Sequence, residues 1–324
     1  MTKFVISGYI GFDNFGDELI ASTLIKHLQE KKDNSVTVIS GKPQKTSKLY
    51  NCSSVGMLNF FMPVIKSDIL ISGGGSLLQD ITSLKSLVYY LTVIITALIF
   101  RKKVFIFAQG MTPFRTKFGE LLTKFVLKKC HKITLRDKKS KLITDNWEIS
   151  SDIIPDVAWG ITPNNTTKSG LGIQLRENEN LSDDFLKTLA KNVAMNFQNK
   201  KIILISLQDT MDLAILEKFK TYLQEYKTDI EIKQNLTVKD AIYEISQLEF
   251  LIGMRFHACL VASKANVKIL GLNYDIKVKT LSEEVNFPCI NLLTDEISQG
   301  IKNLQNTDTT KYNIPSFTFP NFNI

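Results

Sequence analysis

Arg255 and His257 stand close together in Ile252-Gly253-Met254-Arg255-Phe256-His257-Ala258-Cys259, between a short apolar run that reads as a strand and an apolar helix expected over 258–262. An imidazole gives or takes a proton near neutral pH, and a guanidinium grips phosphate or carboxylate with a planar fork. A little further on, Gly271-Leu272-Asn273-Tyr274-Asp275-Ile276-Lys277-Val278 ends another apolar run and adds Lys277. Arg255, His257 and Lys277 therefore converge on one edge, a set suited to acid–base work on an anionic substrate. The plainer alternative is a histidine at a helix N-terminus beside solvated cations. The other histidines, His27 and His131, lie in helix-like or basic surroundings with no partner motif.

Four more strand-to-loop junctions carry polar or glycine-rich sequence. Ser7-Gly8-Tyr9-Ile10-Gly11-Phe12-Asp13-Asn14-Phe15-Gly16-Asp17-Glu18 has the GxxxxG spacing of a phosphate loop, but Asp17-Glu18 replaces the Lys-Ser/Thr that would grip phosphate. GxGxxG is absent as well. Asp17 is either a catalytic carboxylate or, with Glu18, an acidic first turn favoured by capping and the helix dipole. Ser72-Gly73-Gly74-Gly75-Ser76 holds three consecutive glycines, which let backbone N–H groups approach an anion or a sugar, with a helix N-terminus expected behind them. Gln109 in Ala108-Gln109-Gly110-Met111-Thr112-Pro113 ends another strand, and Leu135-Arg136-Asp137-Lys138 delivers Arg136 to the same edge. Arg136 fits a surface salt bridge and an anion ligand equally well.

These junctions need a scaffold that puts strand ends side by side. Phe4 to Ile6, Val36 to Ile39, Asp68 to Ile71, Val104 to Phe107 and Ile133 to Leu135 are strand-like, with helical periods such as Ala21 to Glu30 and Phe118 to Leu127 between them. A polar stretch from Gly160 to Thr167 interrupts the pattern. Alternation then restarts with Leu171 to Leu175, Ile202 to Ile205, Ile230 to Ile232 and Phe250 to Ile252, separated by helical stretches over 182–197, 213–222 and 238–245. Strands alternating with helices imply parallel sheets with right-handed crossovers. The expected fold class is α/β, with two doubly wound, Rossmann-like domains, 1–162 and 163–324, facing a cleft. The tail from Lys311, with Phe317, Phe319 and Phe322, has no period and is expected to pack on a domain surface as part of the second domain.

Composition narrows the class. A chain of 324 residues, 44% hydrophobic and 22% charged, suits two globular cores rather than disorder or a disulfide scaffold. Cys52, Cys130, Cys259 and Cys289 show no CxxC or other close spacing and read as reduced thiols. The N-terminus enters its first strand at once, with no export signal, so a cytoplasmic location is expected. The net charge of +8 suits anionic partners, including an anionic substrate or peripheral contact with an anionic membrane surface at its inner face. No nucleic-acid motif is present. The apolar run from Leu87 to Phe100 is shorter than a membrane span and reads as a buried helix.

Taken in order, GYIGFDNFGDE, SGGGSLLQD, AQGMTP, RDKKS, GMRFHA and NYDIKV closely resemble the polysaccharide pyruvyl transferase family, particularly its bacterial cell-wall-anchoring type. The resemblance runs from Gly8 to about Val278. It implies a fold like that of the B-type (GT-B) glycosyltransferases, phosphoenolpyruvate as donor, no metal or other cofactor, and a glycan or lipid-linked glycan acceptor that receives a pyruvyl ketal. By motif position it carries over Asp17, Arg136, His257 and Lys277, with Arg255 adjacent. Asp17 and His257 are then the catalytic pair, with His257 as acid and Asp17 as base or the reverse. Arg136, Arg255 and Lys277 bind the donor, and Gly73, Gly74, Gly75 and Gln109 border the acceptor. Phe12-Asp13 and Phe256 depart from the family's usual smaller residues and leucine, which bears on acceptor preference. The rival readings are a nucleotide-sugar-dependent glycosyltransferase of the same fold and a glycan-binding protein that has kept the fold without the chemistry.

Overall fold

The structure is a computed structural model that describes residues 1–81, 83–164, 167–226 and 228–322. It divides into two compact units, Met1–Gly160 together with the chain from Ser316 onward, and Ile161–Pro315. The first break thus falls beside the polar stretch that begins at Gly160. Asn165 and Thr166 of that stretch lie outside the described residues.

The first unit runs β1 (Thr2–Ser7), α1 (Phe15–Gln29), β2 (Asn34–Ser40), α2 (Pro43–Tyr50), β3 (Ser53–Gly56), α3 (Phe61–Lys66), β4 (Ile69–Gly73), α4 (Leu84–Ile99), β5 (Lys103–Gln109), α5 (Lys117–Leu127), β6 (Lys132–Leu135), α6 (Lys138–Asn146) and β7 (Asp152–Ile153). Its described strands form one seven-stranded sheet, ordered β3-β2-β1-β4-β5-β6-β7, and every pairing is parallel. Successive strand residues point to opposite faces, and both faces are covered, so the strands read as unbroken apolar runs. Val5, Leu70, Val104 and Ile106 share a core with Val64 of α3, Leu87, Leu91 and Ile94 of α4, and Val126 of α5. Phe4, Ile6, Ile71, Phe105 and Phe107 face the other way, against Leu24 and Ile25 of α1.

α1 alone does not close that second face. Phe322 completes it, buried edge-on among Phe4, Phe105 and Phe107 with ring centroids 6.5, 5.5 and 5.3 Å away. Phe319 stacks on His27 at 3.8 Å. The tail was expected to pack on a domain surface and was counted with the second domain, but from Ser316 onward it belongs to the first unit, and Phe322 lies in that unit's core. Its aromatic side chains anchor a segment with no period of its own.

The expected buried helix over 87–100 is α4, and it is buried on one side only. Leu87, Leu91, Ile94 and Ala97 are inside, whereas Leu84, Val88, Ile99 and the following Phe100 are exposed. Among the described residues no helix is long and apolar enough to cross a membrane. All four cysteines are free thiols, and burial pushes Cys52 up to about 11 and Cys130 up to about 12.

The second unit runs β8 (Leu171–Gln174), α7 (Asp183–Asn196), β9 (Ile202–Ile205), α8 (Asp209–Gln224), β10 (Ile230–Lys233), α9 (Val238–Ser246), β11 (Phe250–Gly253), α10 (Phe256–Lys264), β12 (Lys268–Asn273), α11 (Ile276–Val285), β13 (Cys289–Asn291) and α12 (Ile297–Gln305). Its described strands form a six-stranded parallel sheet, ordered β10-β9-β8-β11-β12-β13. Short polar caps start several of its helices, as where the Ser182 side chain accepts from Phe185 N and Thr237 forms a capping box with Asp240.

Truncating Phe322 should leave a cavity among Phe4, Phe105 and Phe107. Phe322→Ala is expected to cost about 3 kcal/mol in urea unfolding of the first unit. A loss below about 0.5 kcal/mol would show that the tail is not part of the core.

Candidate active site

In each sheet the strand order reverses at one place, between β1 and β4 in the first unit and between β8 and β11 in the second. The connections on either side of such a point leave in opposite directions, opening a crevice beyond the carboxyl ends of the strands. The residues singled out from sequence lie on the loops at these edges. Each unit holds its own group.

In the first unit, α1 starts at Phe15, with the Asn14 side chain accepting from Gly16 N at 3.2 Å. This sets Asp17 and Glu18 in the first turn, where they do different things. Buried Glu18 reaches back to accept the Gly11 N–H at 2.6 Å through Oε1 and the Tyr50 hydroxyl at 2.6 Å through Oε2. It thereby closes the loop after β1. Asp17 instead faces the glycine turn, where a Cβ added to Gly75 would lie 2.8 Å from its Oδ1. Burial pushes the Tyr90 phenol up, and the nearby Asp17 charge adds to the effect.

The three glycines answer to packing as well as to any ligand. Gly74 and Gly75 have φ of 64° and 71°, and a Cβ on Gly74 would lie 2.1 Å from Ile20 of α1. Gly73, at the end of β4, packs against Leu24. The Gly74 N–H is taken by Phe107 O at 2.8 Å, so it is not turned toward an anion. Nor does a helix start directly behind the turn, because α4 begins only at Leu84. The intervening loop is drawn instead toward the start of α5 by Asp80, whose carboxylate accepts from Arg115 N, Thr116 N and Thr116 Oγ1 at 2.6, 2.8 and 2.6 Å. Burial alone would raise the Asp80 carboxyl, but hydrogen bonds from the Thr116 hydroxyl and the two amides outweigh it and hold it below the usual range.

Gln109 is fully buried beside this turn and donates through Nε2 to Gly75 O at 3.3 Å and Gly110 O at 3.1 Å. Its Oε1 has no hydrogen-bond partner among the described residues. Arg136 lies over Gly110, where any Cβ would come within 2.8 Å of the guanidinium. Its Nη2 donates to Ser76 Oγ at 3.2 Å, while Asp137 and Asp156 stand 3.5 and 3.7 Å from Nε and Nη1. Asp17, the glycine turn, Gln109 and Arg136 thus form one group. Arg136, expected to bind the donor together with Arg255 and Lys277, lies in the first unit, and those two lie in the second.

In the second unit the organising residue is Asp212, which was not singled out from sequence. It lies fully buried in the first turn of α8 and accepts from Leu207 N at 2.9 Å and Gln208 N at 3.0 Å. Arg255 gives it Nε at 3.1 Å and Nη2 at 2.6 Å, with a further Nη2 bond to Gln208 Oε1. Gln174, at the end of β8, accepts the Arg255 N–H at 2.7 Å. Arg255 is therefore held within its own unit, with only Nη1 left for a ligand. This fixes the N-terminus of α10, and hence half-buried His257 in its first turn, packed edge-on against Phe256 at 5.0 Å. Just after the neighbouring strand β12, Asp275 caps α11 through Lys277 N at 3.0 Å, and Lys277 Nζ is half-exposed 3.9 Å from the same carboxylate. Arg176 follows β8 at this edge, and its guanidinium makes no hydrogen bond or ion pair among the described residues. No group of three or more His, Cys, Asp or Glu among the described residues is placed to hold a metal ion.

The model of the family described as polysaccharide pyruvyl transferase matches residues 14–276, a span that includes Asp17, the glycine turn, Gln109, Arg136, Arg255 and His257 and stops one residue short of Lys277. The chain belongs to this family. It is accordingly an enzyme, a transferase. No curated protein matches the chain in sequence. Among solved structures, the UDP-GlcNAc 2-epimerase from Methanocaldococcus jannaschii is similar at 11% identity with a TM-score of 0.67, covering 95% of this chain and 94% of that one. The S. aureus MnaA–UDP co-structure gives 12% identity and 0.64, covering 97% and 90%. Anabaena Alr3699/HepE in complex with UDP and glucose gives 10% and 0.61, covering 97% and 92%. At these identities the likeness is one of fold, two parallel-sheet α/β units of GT-B-like type.

Of the residues missed from sequence, Asp212 and Gln174 had only faint signals, an acidic first turn and a glutamine closing an apolar strand. Arg176 had none beyond its place after that strand. Removing one partner of a buried ion pair leaves the other uncompensated, so Asp212→Ala is expected to destabilise the second unit by about 3–5 kcal/mol. Urea unfolding followed on that unit checks it, and a change below about 1 kcal/mol would remove Asp212 from its organising position.

Proposed function

We propose that this transferase moves pyruvate from phosphoenolpyruvate onto two hydroxyls of a sugar in a cell-surface polysaccharide or its lipid-linked precursor, forming a pyruvyl ketal without metal or other cofactor. The observation that carries the reading is the pairing of family membership with the contents of the two carbonyl edges. One holds a carboxylate beside a glycine turn, and the other holds an imidazole with cations near it.

The donor carries a phosphate and a carboxylate, for which guanidinium and ammonium groups are the natural ligands. In this reading Arg176 and Lys277 of the second unit meet those groups, and Arg136 of the first unit offers its guanidinium to an anionic group beside the glycine turn. Arg255 acts chiefly by fixing the loop that bears His257. The reaction protonates the donor's methylene carbon, adds one sugar hydroxyl to the adjacent carbon, expels phosphate and adds the second hydroxyl. Each addition releases a proton and the methylene takes one up, so an acid and a base are both needed. His257 serves as the acid and Asp17 as the base. Gly73, Gly74, Gly75 and Gln109 border the acceptor, and the work takes place on the cytoplasmic side. A nucleotide-sugar reading is supported by the fold likeness to proteins solved with UDP, and the same experiments separate it.

Phosphoenolpyruvate is expected to raise the melting temperature with no metal added, because a ligand at about 100 times its Kd stabilises the folded state by roughly 2.7 kcal/mol. A shift with UDP or a UDP-sugar and none with phosphoenolpyruvate would decide for the glycosyltransferase reading.

Arg176→Gln and Lys277→Gln should each weaken phosphoenolpyruvate binding by roughly 10-fold to 100-fold, the usual weight of a hydrogen bond to a charged group. Asp17→Asn should leave that binding intact and slow phosphate release in the presence of acceptor by about 10²–10⁴-fold. Calorimetry and a phosphate assay on the same proteins measure both. If Asp17→Asn costs as much donor affinity as Lys277→Gln, Asp17 is part of the donor pocket rather than the base.

A further inference from the structure

We propose that the outer face of α3, α4 and α5 seats this protein on an anionic lipid bilayer. On α5, Phe118, Leu121 and Phe125 are 60%, 66% and 61% exposed and recur at helical spacing along one side, while Val126 and Leu127 on the other side are buried in the core. The exposed stripe is thus a second apolar face, left over after the helix has already packed. α4 adds Leu84, Val88 and Ile99 on its outward side. α3 adds Phe61 and Met62, and Phe61 meets Phe100 edge-on at 5.8 Å where α3 and α4 adjoin. α3 and α5 both pack against α4, and all three contribute to the same core cluster on one side of the sheet. Their exposed side chains therefore look away from that sheet as one surface. Contiguous apolar area of this kind marks an interaction site.

The charges around it choose the partner. Segments 57–66, 84–102 and 117–129 carry one, three and four lysines or arginines, eight in all, against a single acid, Glu120. That acid accepts a hydrogen bond from Trp147 Nε1 at 3.1 Å and so is engaged within the unit. A two-fold contact with a second copy would press this cationic rim against itself, since an isologous interface pairs a patch with its own copy. An anionic headgroup layer complements the rim, while the acyl boundary accepts the rings, as for helices that lie in a membrane interface. Lys129 Nζ stands 4.9 Å over the Phe125 ring, and lysines of this kind can leave their stems in apolar surroundings with the ammonium at headgroup level. The helices are too short or too polar to cross. The inference does not rest on the donor chemistry proposed above.

Flotation of the full chain with vesicles tests it, using phosphatidylcholine alone and phosphatidylcholine with added phosphatidylglycerol. The chain is expected to float with the anionic vesicles, to bind the neutral ones at least about 10-fold less, and to lose binding as salt is raised. Leu121→Ser combined with Phe125→Ser should lower partition to the anionic vesicles by about 10-fold or more with the melting temperature unchanged. Lys124→Glu combined with Lys128→Glu should do the same at low salt. Absence of flotation with anionic vesicles would overturn the proposal, as would flotation of both double variants equal to that of the wild-type chain. So would sedimentation showing a wild-type dimer that the Leu121→Ser, Phe125→Ser variant converts to a monomer, because the face would then belong to a second copy.

Discussion

Parallel pairing is the constraint on which the rest of this structure depends. When every strand of a sheet runs the same way, all carboxyl ends emerge at one edge, and each chain segment must cross back over a face before the next strand begins. Loops at that edge are consequently brought side by side although the sequence scatters them. Asp17, Gly75, Gln109 and Arg136 end or follow four different strands of the first sheet, and Gln174, Arg255 and Lys277 end or follow three of the second. The reversal of strand order in each sheet then opens room exactly where α1 and α10 begin.

Edge loops are free to wander unless something ties them, and a recurrent tie here is a buried carboxylate. Glu18 holds the Gly11 amide, Asp80 the Arg115 and Thr116 amides, and Asp212 the Leu207 and Gln208 amides. Each carboxylate loses water on burial, and charge-assisted bonds from backbone N–H groups offset that loss. The result is directional in a way that apolar packing is not. At Asp212 the same carboxylate also takes the Arg255 guanidinium, so loops after β8, β9 and β11 share one network. An arginine that looks like a substrate ligand in the sequence is thereby also tied into the loop that carries the histidine two residues on.

Covering a sheet leaves each helix with a second face to dispose of. α1 presents part of that face to the returning tail, whose Phe319 stacks on His27. α4 and α5 keep theirs apolar and exposed beneath a cationic rim, an arrangement that costs solubility unless another surface meets it.

The alternation of β-branched runs with helical periods determined the class of fold from sequence alone, because strand and helix periods are local properties. Glycine-rich and polar junctions after those runs were legible for the same reason, and they located Asp17, Arg136, His257 and Lys277 at strand ends. What tertiary structure alone decided is which of these groups share a neighbourhood and which are already engaged. Arg136 and Asp17 meet at the glycine turn after β4 because β1 lies beside β4 and β6 two strands beyond it in the same sheet, a fact of strand order that no local pattern carries. Arg255 is taken by Asp212, distant in sequence and unremarkable among the chain's other acidic first turns. Phe322 enters a core built by the opposite end of the chain, since burial answers to the area left uncovered on a sheet and not to the period of the segment that fills it.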